Sequence, residues 1–255
     1  LGCGTRDGDR VRLAGGAEHA RSLLSQDGTV THLRAVLFDY SGTLFRLEED
    51  DSWFAGITVD EQAVEGHVQA ELMRRVTAPT GNSVPMDEEQ HHNWANRDLE
   101  PHLHREAYLH VLRESGLTDQ HARSLYPKLV DPASWTPYPD TAAALNGLRA
   151  AGVATAVVSN IAFDLRPAFA AVGTAADEYV LSFEVGAIKP DAAIFRIALA
   201  RLGVEAAETL MIGDSEEADG GARALGCAFA LVDPLPTAQR PDGLLHALRE
   251  HGFDL

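Results

Sequence analysis

The stretch that decides the fold is "VLFDYSGTLF", which runs from Val36 to Phe45. Its first three residues are apolar and Asp39 follows them, a pattern typical of a buried strand that ends in a carboxylate. Two residues beyond Asp39 stands Ser41, a hydroxyl where a second acid would be useful for proton transfer. The chemistry of this segment therefore depends on which other groups the chain places around Asp39.

Length and charge exclude several classes of protein. The chain has 255 residues, 45% of them hydrophobic, enough for one large core or for a core with a smaller domain. Its 21 basic and 38 acidic side chains give a net charge of −17, which repels nucleic acid and anionic lipid. No apolar run approaches the roughly 20 residues that span a bilayer, and residues 1–30 lack the apolar centre of a signal peptide. We expect a cytoplasmic protein without nucleic-acid or membrane partners.

The second half of the chain alternates short apolar runs with helical patterns. The runs predicted as strands are "VATAVVSN" (153–160), "EYVLSFEV" (178–185), "TLMIGD" (209–214) and "CAFALV" (227–232). The helical patterns between them are "DTAAALNGLRAAG", "AAIFRIALARLG" and "EEADGGARALG", each with Gly at or near its end. Because these strands are continuously apolar, as a sheet buried on both faces requires, we predict an α/β fold with a Rossmann-like wound parallel sheet.

A long insertion separates the first predicted strand from the others. It carries helical patterns such as "VDEQAVEGHVQAELMRRV" and "LEPHLHREAYLHVLRESG", punctuated by "TAPTGNSVP" and "YPKLVDPASW". We predict a helical domain over residues 47–137 and an α/β core formed by residues 33–46 and 138–255. Residues 1–32, rich in Gly, Arg and Asp, are predicted to be a flexible extension.

Polar side chains stand at the carboxyl ends of three predicted strands. They are Asp39, Ser159 with Asn160, and Asp214. In an open parallel sheet the ligand binds in the crevice outside these strand ends, so we expect these side chains to meet there. Taken singly, each is also compatible with a helix cap or a turn.

Lys189 and Asp219 extend this group. The chain has only two lysines, Lys128 and Lys189, so the lysine in "GAIKPD" indicates that a compact ammonium matters there, although a solvated surface charge is the alternative. Asp214 and Asp219 would raise one another's pKa beside Asp39 unless a cation lay among them, and hard oxygen ligands suit Mg²⁺. The alternative for the two acids is a helix start that favours the helix dipole.

Four ordered segments resemble the motifs of the haloacid dehalogenase-like (HAD) superfamily. They are "FDYSGTLF", "VVSN", "IKPD" and "IGDSEEAD", and the resemblance extends from about Leu33 to the carboxyl terminus. It implies a Mg²⁺-dependent hydrolase, most often a phosphatase, acting on a small phosphorylated molecule. It also implies that the helical insertion is a cap that closes over the crevice and sets substrate choice. We expect a monomer or a homodimer.

The resemblance also implies a role for each motif residue. Asp39 would attack phosphorus and become an aspartyl phosphate, which water hydrolyses. Ser159 would donate its hydroxyl to the phosphoryl group, and Lys189 would neutralise charge on that group and on Asp39. Phosphate binding is implied for Gly42, Thr43, Ser159, Asn160 and Lys189. Mg²⁺ ligation is implied for Asp39, Asp214, Asp219 and the backbone carbonyl of Ser41. In this set Asp219 would anchor either a metal-bound water or Lys189.

Ser41 departs from the phosphatase pattern, which usually has Asp at this position as the general acid and base. A hydroxyl cannot shuttle a proton near neutral pH, and losing such a catalyst costs on the order of 10²- to 10⁴-fold in rate. Three explanations stay open: a substrate with a good leaving group, a proton donor from the cap, or a slow, long-lived phosphoenzyme. The candidate donors from the insertion are His91, His92 and Glu48.

Other activities remain as alternatives. Haloacid dehalogenases use an aspartate nucleophile without metal, but they lack the acidic fourth motif. Phosphonoacetaldehyde hydrolase has a small residue at the Ser41 position and a cap lysine, for which Lys128 is the only candidate. A member that binds a phosphorylated ligand without turnover is the third alternative. The insertion histidines, namely His91, His92, His102, His104 and His110, match no compact zinc pattern and are predicted to lie at the surface.

Overall fold

The computed structural model of this chain describes residues 22–24, 30–48, 51–59, 62–77 and 84–255. The strands in these ranges are β1 (Ser22–Leu24), β2 (Val30–His32), β3 (Ala35–Phe38), β4 (Phe45–Leu47), β5 (Thr58–Val59), β6 (Gln62–Ala63), β7 (Trp135–Pro137), β8 (Ala154–Ser159), β9 (Glu178–Leu181), β10 (Thr209–Gly213) and β11 (Ala228–Leu231). The α-helices are α1 (Gly66–Thr77), α2 (Glu88–Ala95), α3 (Pro101–Glu114), α4 (Asp119–Val130), α5 (Thr141–Ala150), α6 (Arg166–Ala171), α7 (Ser182–Val185), α8 (Ala192–Leu202) and α9 (Gly243–Glu250).

Five parallel strands form the central sheet, in the order β11-β10-β3-β8-β9. The central strand β3 is fully buried, and its first residue, Ala35, pairs with Thr209 on one side and Ala154 on the other. Strands that run in the same direction present their carboxyl ends at one edge, so the segments after β3, β8 and β10 meet. The predicted α/β fold with a wound parallel sheet is confirmed.

Apolar side chains cover both faces of this sheet. Along β3, Val36 and Phe38 belong to one hydrophobic cluster and Leu37 to another, as the alternation of a strand requires. On the Leu37 side, α8 buries Ile194 and Phe195. Full burial of one such side chain contributes about 1.5 to 3 kcal/mol, so the two layers hold the strand ends in place.

The helical insertion has an apolar cluster of its own. Leu109 and Leu112 of α3 pack with Leu125 and Leu129 of α4, at the three- and four-residue spacings that place side chains on one face of a helix. Its two connections to the sheet run side by side, because β4 pairs with β7 in antiparallel fashion. The division into a separate domain over residues 47–137 stays a prediction.

Local structure differs from the sequence pattern in three places. The run "EYVLSFEV" is a strand only to Leu181, after which α7 begins, so the apolar run changes its conformation midway. The segment around Gly220 and Gly221 forms a 3₁₀ helix, Asp219–Leu225, rather than an α-helix, consistent with the low helix propensity of Gly. The predicted break at "YPKLVDPASW" begins too early, because α4 continues through Pro127 and keeps Leu125 and Leu129 buried.

The predicted extension over residues 1–32 lies largely outside the described residues. Its described parts, β1 and β2, pair as antiparallel strands. Among the described helices, none has the length and apolar character that crossing a bilayer demands.

Candidate active site

The loop after β3 brings Asp39 to the carboxyl edge of the sheet. The Asp39 N–H donates to the Ile212 carbonyl at 2.9 Å, and the Tyr40 carbonyl accepts from Leu44 and Phe45, which closes a tight turn. Gly42, at the tip, has a φ of 77°, and a Cβ there would collide with the Asp214 carboxylate. Only glycine permits this loop to lie so close to Asp214.

Lys189 lies between two carboxylates. Its Nζ is 2.6 Å from Asp39 Oδ1 and 2.6 Å from Asp219 Oδ1, and all three residues are buried. Burial alone would lower the pKa of Lys189, but the charges of Asp219 and Asp39 and their hydrogen bonds outweigh it and raise that pKa. The lysine therefore stays charged, and it is a buried element of the site rather than a solvated surface residue.

Three carboxylates share this site. Oxygens of Asp39, Asp214 and Asp219 lie within 4.8 Å of one another. Burial raises the pKa of Asp39 to about 8 against the lowering effect of Lys189, and the charges of Asp219 and Asp214 add to the rise. Burial likewise raises the pKa of Asp214 to about 6, with Asp219 adding to it. One ammonium does not balance three carboxylates, and a set of hard oxygen donors fits a divalent cation such as Mg²⁺.

Ser159 and Asn160 lie at the end of β8 and make different contacts. Ser159 is buried and lines the cavity described below. The Asn160 side chain accepts from the Lys189 N–H at 2.7 Å and donates to the Lys189 carbonyl at 3.0 Å. Asn160 thus holds the loop that carries Lys189, and a contact between Asn160 and the substrate stays a prediction.

These motif residues now have a geometry that can be set beside known proteins. The sequence matches the family of haloacid dehalogenase-like hydrolases over residues 33–226. The chain belongs to this family.

Curated relatives of this HAD-like hydrolase include phosphatases. It is 34% identical over 167 residues to haloacid dehalogenase-like hydrolase domain-containing protein 3 of Mus musculus, covering 59% of this chain and 66% of that protein. It is 34% identical over 149 residues to a phosphoserine phosphatase of Thermus thermophilus, covering 55% of this chain and 60% of the relative. It is 32% identical over 133 residues to a ribulose-1,5-bisphosphate 5-phosphatase of Halopiger xanaduensis, covering 48% and 56% respectively. The chain thus spans less than two thirds of the length of these relatives.

Solved structures with the same fold include dehalogenases. The crystal structure of a dehalogenase matches with a TM-score of 0.62 and 21% identity, covering 86% of this chain and 97% of that one. The L-2-haloacid dehalogenase of Xanthobacter autotrophicus matches with a TM-score of 0.57 and 22% identity, covering 84% and 83%. At these identities the likeness establishes the fold of the HAD-like hydrolase and nothing about its reaction.

A residue outside the four motifs holds the Asp39 loop of the HAD-like hydrolase. Arg240 is buried and donates to the carbonyls of Gly42, at 2.7 Å, and of Thr43. It also donates to the Asp233 carbonyl at 2.9 Å, and its guanidinium lies 3.2 Å from the centroid of the Tyr138 ring. Sequence reasoning missed Arg240, because "TAQRPDG" matches no motif and only tertiary packing brings it to the loop. Thr43 itself is buried behind the cavity wall, so its predicted phosphate contact stays a prediction.

A cavity of about 490 Å³ extends from the motif residues to the helical insertion. On the core side it is lined by Asp39, Ser41, Gly42, Ser159, Asn160, Lys189, Asp214 and Asp219. The insertion contributes Ala95, Arg97, Asp98, His104, Tyr108, Leu129 and Trp135 to the lining, and the segment after β8 contributes Ile161 and Phe163. The cavity therefore has a charged end and an aromatic wall.

His104 belongs to the aromatic wall. It is buried, and its Nδ1 lies 3.0 Å from the Tyr126 hydroxyl. Burial lowers the pKa of His104 to about 3, and the charge of Arg97 contributes, so the ring is neutral near pH 7. The prediction that all five insertion histidines lie at the surface is wrong for His104.

The sequence-based candidates for the missing proton donor do not line the cavity. His91 and His92 are exposed on α2, and the Glu48 carboxylate accepts from the Thr237 N–H at 2.6 Å. Ser41 does line the cavity and is exposed to it. If the insertion supplies a proton donor, it is therefore another residue that lines the cavity.

Proposed function

We propose that this chain is a Mg²⁺-dependent phosphatase that hydrolyses a small phosphate monoester through an aspartyl phosphate on Asp39. The observation that carries the proposal is the Lys189 ammonium, held 2.6 Å from both Asp39 and Asp219 while Asp214 supplies a third carboxylate. Phosphoryl transfer depends mostly on positioning and on neutralising spread negative charge, and this site offers both.

The residues divide the work of two successive displacements. The Asp39 carboxylate attacks phosphorus and the bond from phosphorus to the leaving oxygen breaks. Ser159 donates a hydrogen bond to a phosphoryl oxygen, and Lys189 reduces charge repulsion between the phosphoryl group and Asp39. Water then attacks phosphorus and releases Asp39. Asp39, Asp214 and the Ser41 carbonyl would hold Mg²⁺ with the help of Asp219, and the ion would neutralise phosphate charge and orient the phosphoryl group.

The alternatives receive less support from the same residues. A metal-free dehalogenase does not require Asp214 and Asp219 beside the nucleophile, where their negative charges raise the pKa of Asp39. Lys128, required for a Schiff base with a phosphonate substrate, does not line the cavity and lies 5.6 Å from the centroid of the Trp53 ring. The phosphatase names of two curated relatives favour the same choice.

The size and setting of the cavity suit a small molecule. A volume of about 490 Å³ accommodates a phosphate group with a compact organic part. We further propose that the helical insertion acts as the cap, and that the enzyme works in the cytoplasm as a monomer or a homodimer. The net charge of −17 supports a role away from nucleic acid and anionic membranes.

The test is a hydrolysis panel with purified protein, with Mg²⁺ and with chelator. It contains phosphate monoesters, acyl phosphates, phosphonoacetaldehyde and 2-haloacids, and it measures phosphate and halide release. We expect phosphate release from monoesters or acyl phosphates that requires Mg²⁺. Halide release that persists in chelator would establish the dehalogenase instead, and tight binding of a phosphorylated compound without turnover on any substrate would establish a binding protein.

A further inference from the structure

We propose that Asp98 donates the proton that the Ser41 hydroxyl cannot supply. Its carboxyl group would protonate the leaving oxygen of the substrate, and its carboxylate would then accept a proton from the attacking water. This inference rests on the proposed phosphatase function and adds a catalytic residue from the helical insertion.

Asp98 reaches the site from the turn between α2 and α3. It lines the same cavity as Asp39 and Ser41 but belongs to the helical insertion. Only 17% of its side chain is exposed. With the phosphoryl group bound against Asp39, a carboxyl group of the insertion that lines the same cavity would be available to the leaving group.

The turn that carries Asp98 is fastened to the core. The Asp98 carbonyl accepts a hydrogen bond from the Ser182 hydroxyl, which in turn accepts from the Ile161 N–H at 2.8 Å. Ile161 follows Ser159 by two residues, so this connection joins the Asp98 turn to the loop that holds the phosphoryl group. Asp98 is therefore placed relative to the reacting atoms more firmly than a surface residue of the insertion.

The surroundings of Asp98 favour a group that gives and takes a proton. Burial raises the pKa of Asp98, while the charges of Arg97 and Lys189 lower it. The nearer of these cations, Arg97, has Nη2 3.6 Å from Asp98 Oδ2. Burial thus keeps the protonated form accessible, and the two cations stabilise the carboxylate that forms when the proton leaves.

Other titratable side chains of the described cavity lining fit the role less well. Neutral His104, with a pKa of about 3, has no proton to give at its basic nitrogen near pH 7. Glu217 is exposed. Burial raises the pKa of Tyr108, which makes it a poor donor. Asp39 is the proposed nucleophile, and Asp214 and Asp219 are the carboxylates proposed to hold Mg²⁺.

The proton balance of the reaction closes with Asp98 alone. In the first step the bond from Asp39 to phosphorus forms, the bond to the leaving oxygen breaks, and that oxygen takes the Asp98 proton to become an alcohol. In the second step a water oxygen bonds to phosphorus, the bond to Asp39 breaks, and the water proton passes to the Asp98 carboxylate. The enzyme returns to its starting state with inorganic phosphate as product.

The experiment compares wild type, Asp98→Asn and the control Glu100→Gln on phosphate monoesters of graded leaving-group acidity. Glu100 lies two residues away and its carboxylate is exposed. For alkyl phosphates we expect Asp98→Asn to lower kcat/KM by roughly 10²- to 10⁴-fold, but for p-nitrophenyl phosphate by less than about 10-fold, because that leaving group needs no proton. Glu100→Gln should match wild type within about twofold on every ester.

A rescue variant separates proton transfer from structural support. Adding Ser41→Asp to Asp98→Asn should restore alkyl phosphate hydrolysis at least about 10-fold, since a carboxyl group at position 41 supplies the proton from the core side. Equal losses on all esters, or no loss on any of them, would overturn the role of Asp98. The absence of rescue in a double variant whose thermal unfolding matches wild type would overturn it as well. All of these results leave the phosphatase proposal intact, whereas a wild type that releases no phosphate would refute the phosphatase proposal itself.

Discussion

The two ends of the cavity are built in different ways. At the core end, Asp39 lies directly after β3, and Lys189 joins it to Asp219 through charge-assisted hydrogen bonds of 2.6 Å. At the other end, His104 of the insertion and Phe163 of the segment after β8 belong to an aromatic wall, their ring centroids 6.3 Å apart. We infer a division of labour in which the core end carries out phosphoryl transfer and the aromatic wall determines which molecules bind, while Asp98 of the insertion supplies a proton to the chemical step.

The largest expected effect tests the core end at Asp39, the proposed nucleophile. Asp39→Asn keeps the shape of the side chain but removes its negative charge, so kcat should fall by roughly 10⁴-fold or more. Steady-state phosphate release measures the loss. Asp242→Asn, at an exposed aspartate, is the control and should behave as wild type. Comparable activity in Asp39→Asn and wild type would remove Asp39 from the reaction.

A second test loosens the core end without touching the reacting groups. Arg240→Ala removes a buried guanidinium that binds the carbonyls of Gly42 and Thr43, so the free energy of unfolding should fall by about 2 to 4 kcal/mol. Urea unfolding measures this change, and kcat should fall more than KM rises because the Asp39 loop loses its support.

The matched control for Arg240 is Arg201→Ala. Arg201 also donates to a backbone carbonyl, that of Tyr179 at 2.8 Å, but its side chain is 38% exposed. Its loss should change the free energy of unfolding by no more than about 0.5 kcal/mol. Equal destabilisation by the two substitutions would show that the contacts of Arg240 to the Asp39 loop stabilise the fold no more than an exposed hydrogen bond does.

The third test uses the pH dependence of stability to examine His104 in the aromatic wall. The folded-state pKa of His104 is lowered to about 3 from an ordinary 6.5, so the unfolded chain binds a proton below pH 6.5 that the folded chain does not. This group therefore destabilises the fold progressively as pH falls from 6.5 toward 3, by about 2 kcal/mol at pH 5. His104→Gln should lose that part of the acid sensitivity.

Urea unfolding of wild type and His104→Gln at pH 7 and pH 5 checks this prediction. His102→Gln, at an exposed histidine of the same helix, should retain the acid sensitivity of wild type. If His104→Gln and wild type lose the same stability between the two pH values, His104 is not held neutral by burial.

The smallest expected effect concerns substrate binding at the wall. Phe163→Ala removes a ring that lines the cavity and contacts Trp135, with ring centroids 6.1 Å apart. For substrates with a bulky organic part, KM should rise by roughly 10-fold with little change in kcat, since apolar contact is lost equally in ground and transition states. Kinetics on one large and one small phosphate ester check this, and a fall in kcat alone would contradict the division of labour.

Sequence patterns predicted the core end well, because its residues follow apolar strands in fixed order. Asp39, Ser159 and Asp214 each lie at the end of a strand whose apolar run is visible in the chain, and parallel pairing brings those ends together. Lys189 follows no such strand, and its predicted importance came from its rarity and its motif. The structure places it between Asp39 and Asp219, and its role in the reaction stays a prediction.

The wall and its supports could not be predicted in the same way. Asp98 precedes Pro101 in "NRDLEPH", which is also a common pattern for a turn before a helix, and nothing local indicates that it lines the same cavity as Asp39. Arg240 contacts Gly42 across 198 residues of sequence. His104 is buried because Tyr108 and Tyr126 pack around it. Such positions depend on tertiary packing between separate elements, and a single chain carries no periodic signal for that packing.

The central claim is that Asp39 accepts a phosphoryl group, and rapid acid quench followed by peptide mapping tests it most directly. Wild-type protein is mixed with Mg²⁺ and p-nitrophenyl phosphate, quenched during the first turnover, digested and analysed by mass spectrometry. We predict one phosphoryl group on the peptide that contains Asp39, and none on that peptide from Asp39→Asn. Phosphate release at the same rate with no phosphorylated peptide, or with the phosphoryl group on another residue, would contradict the account.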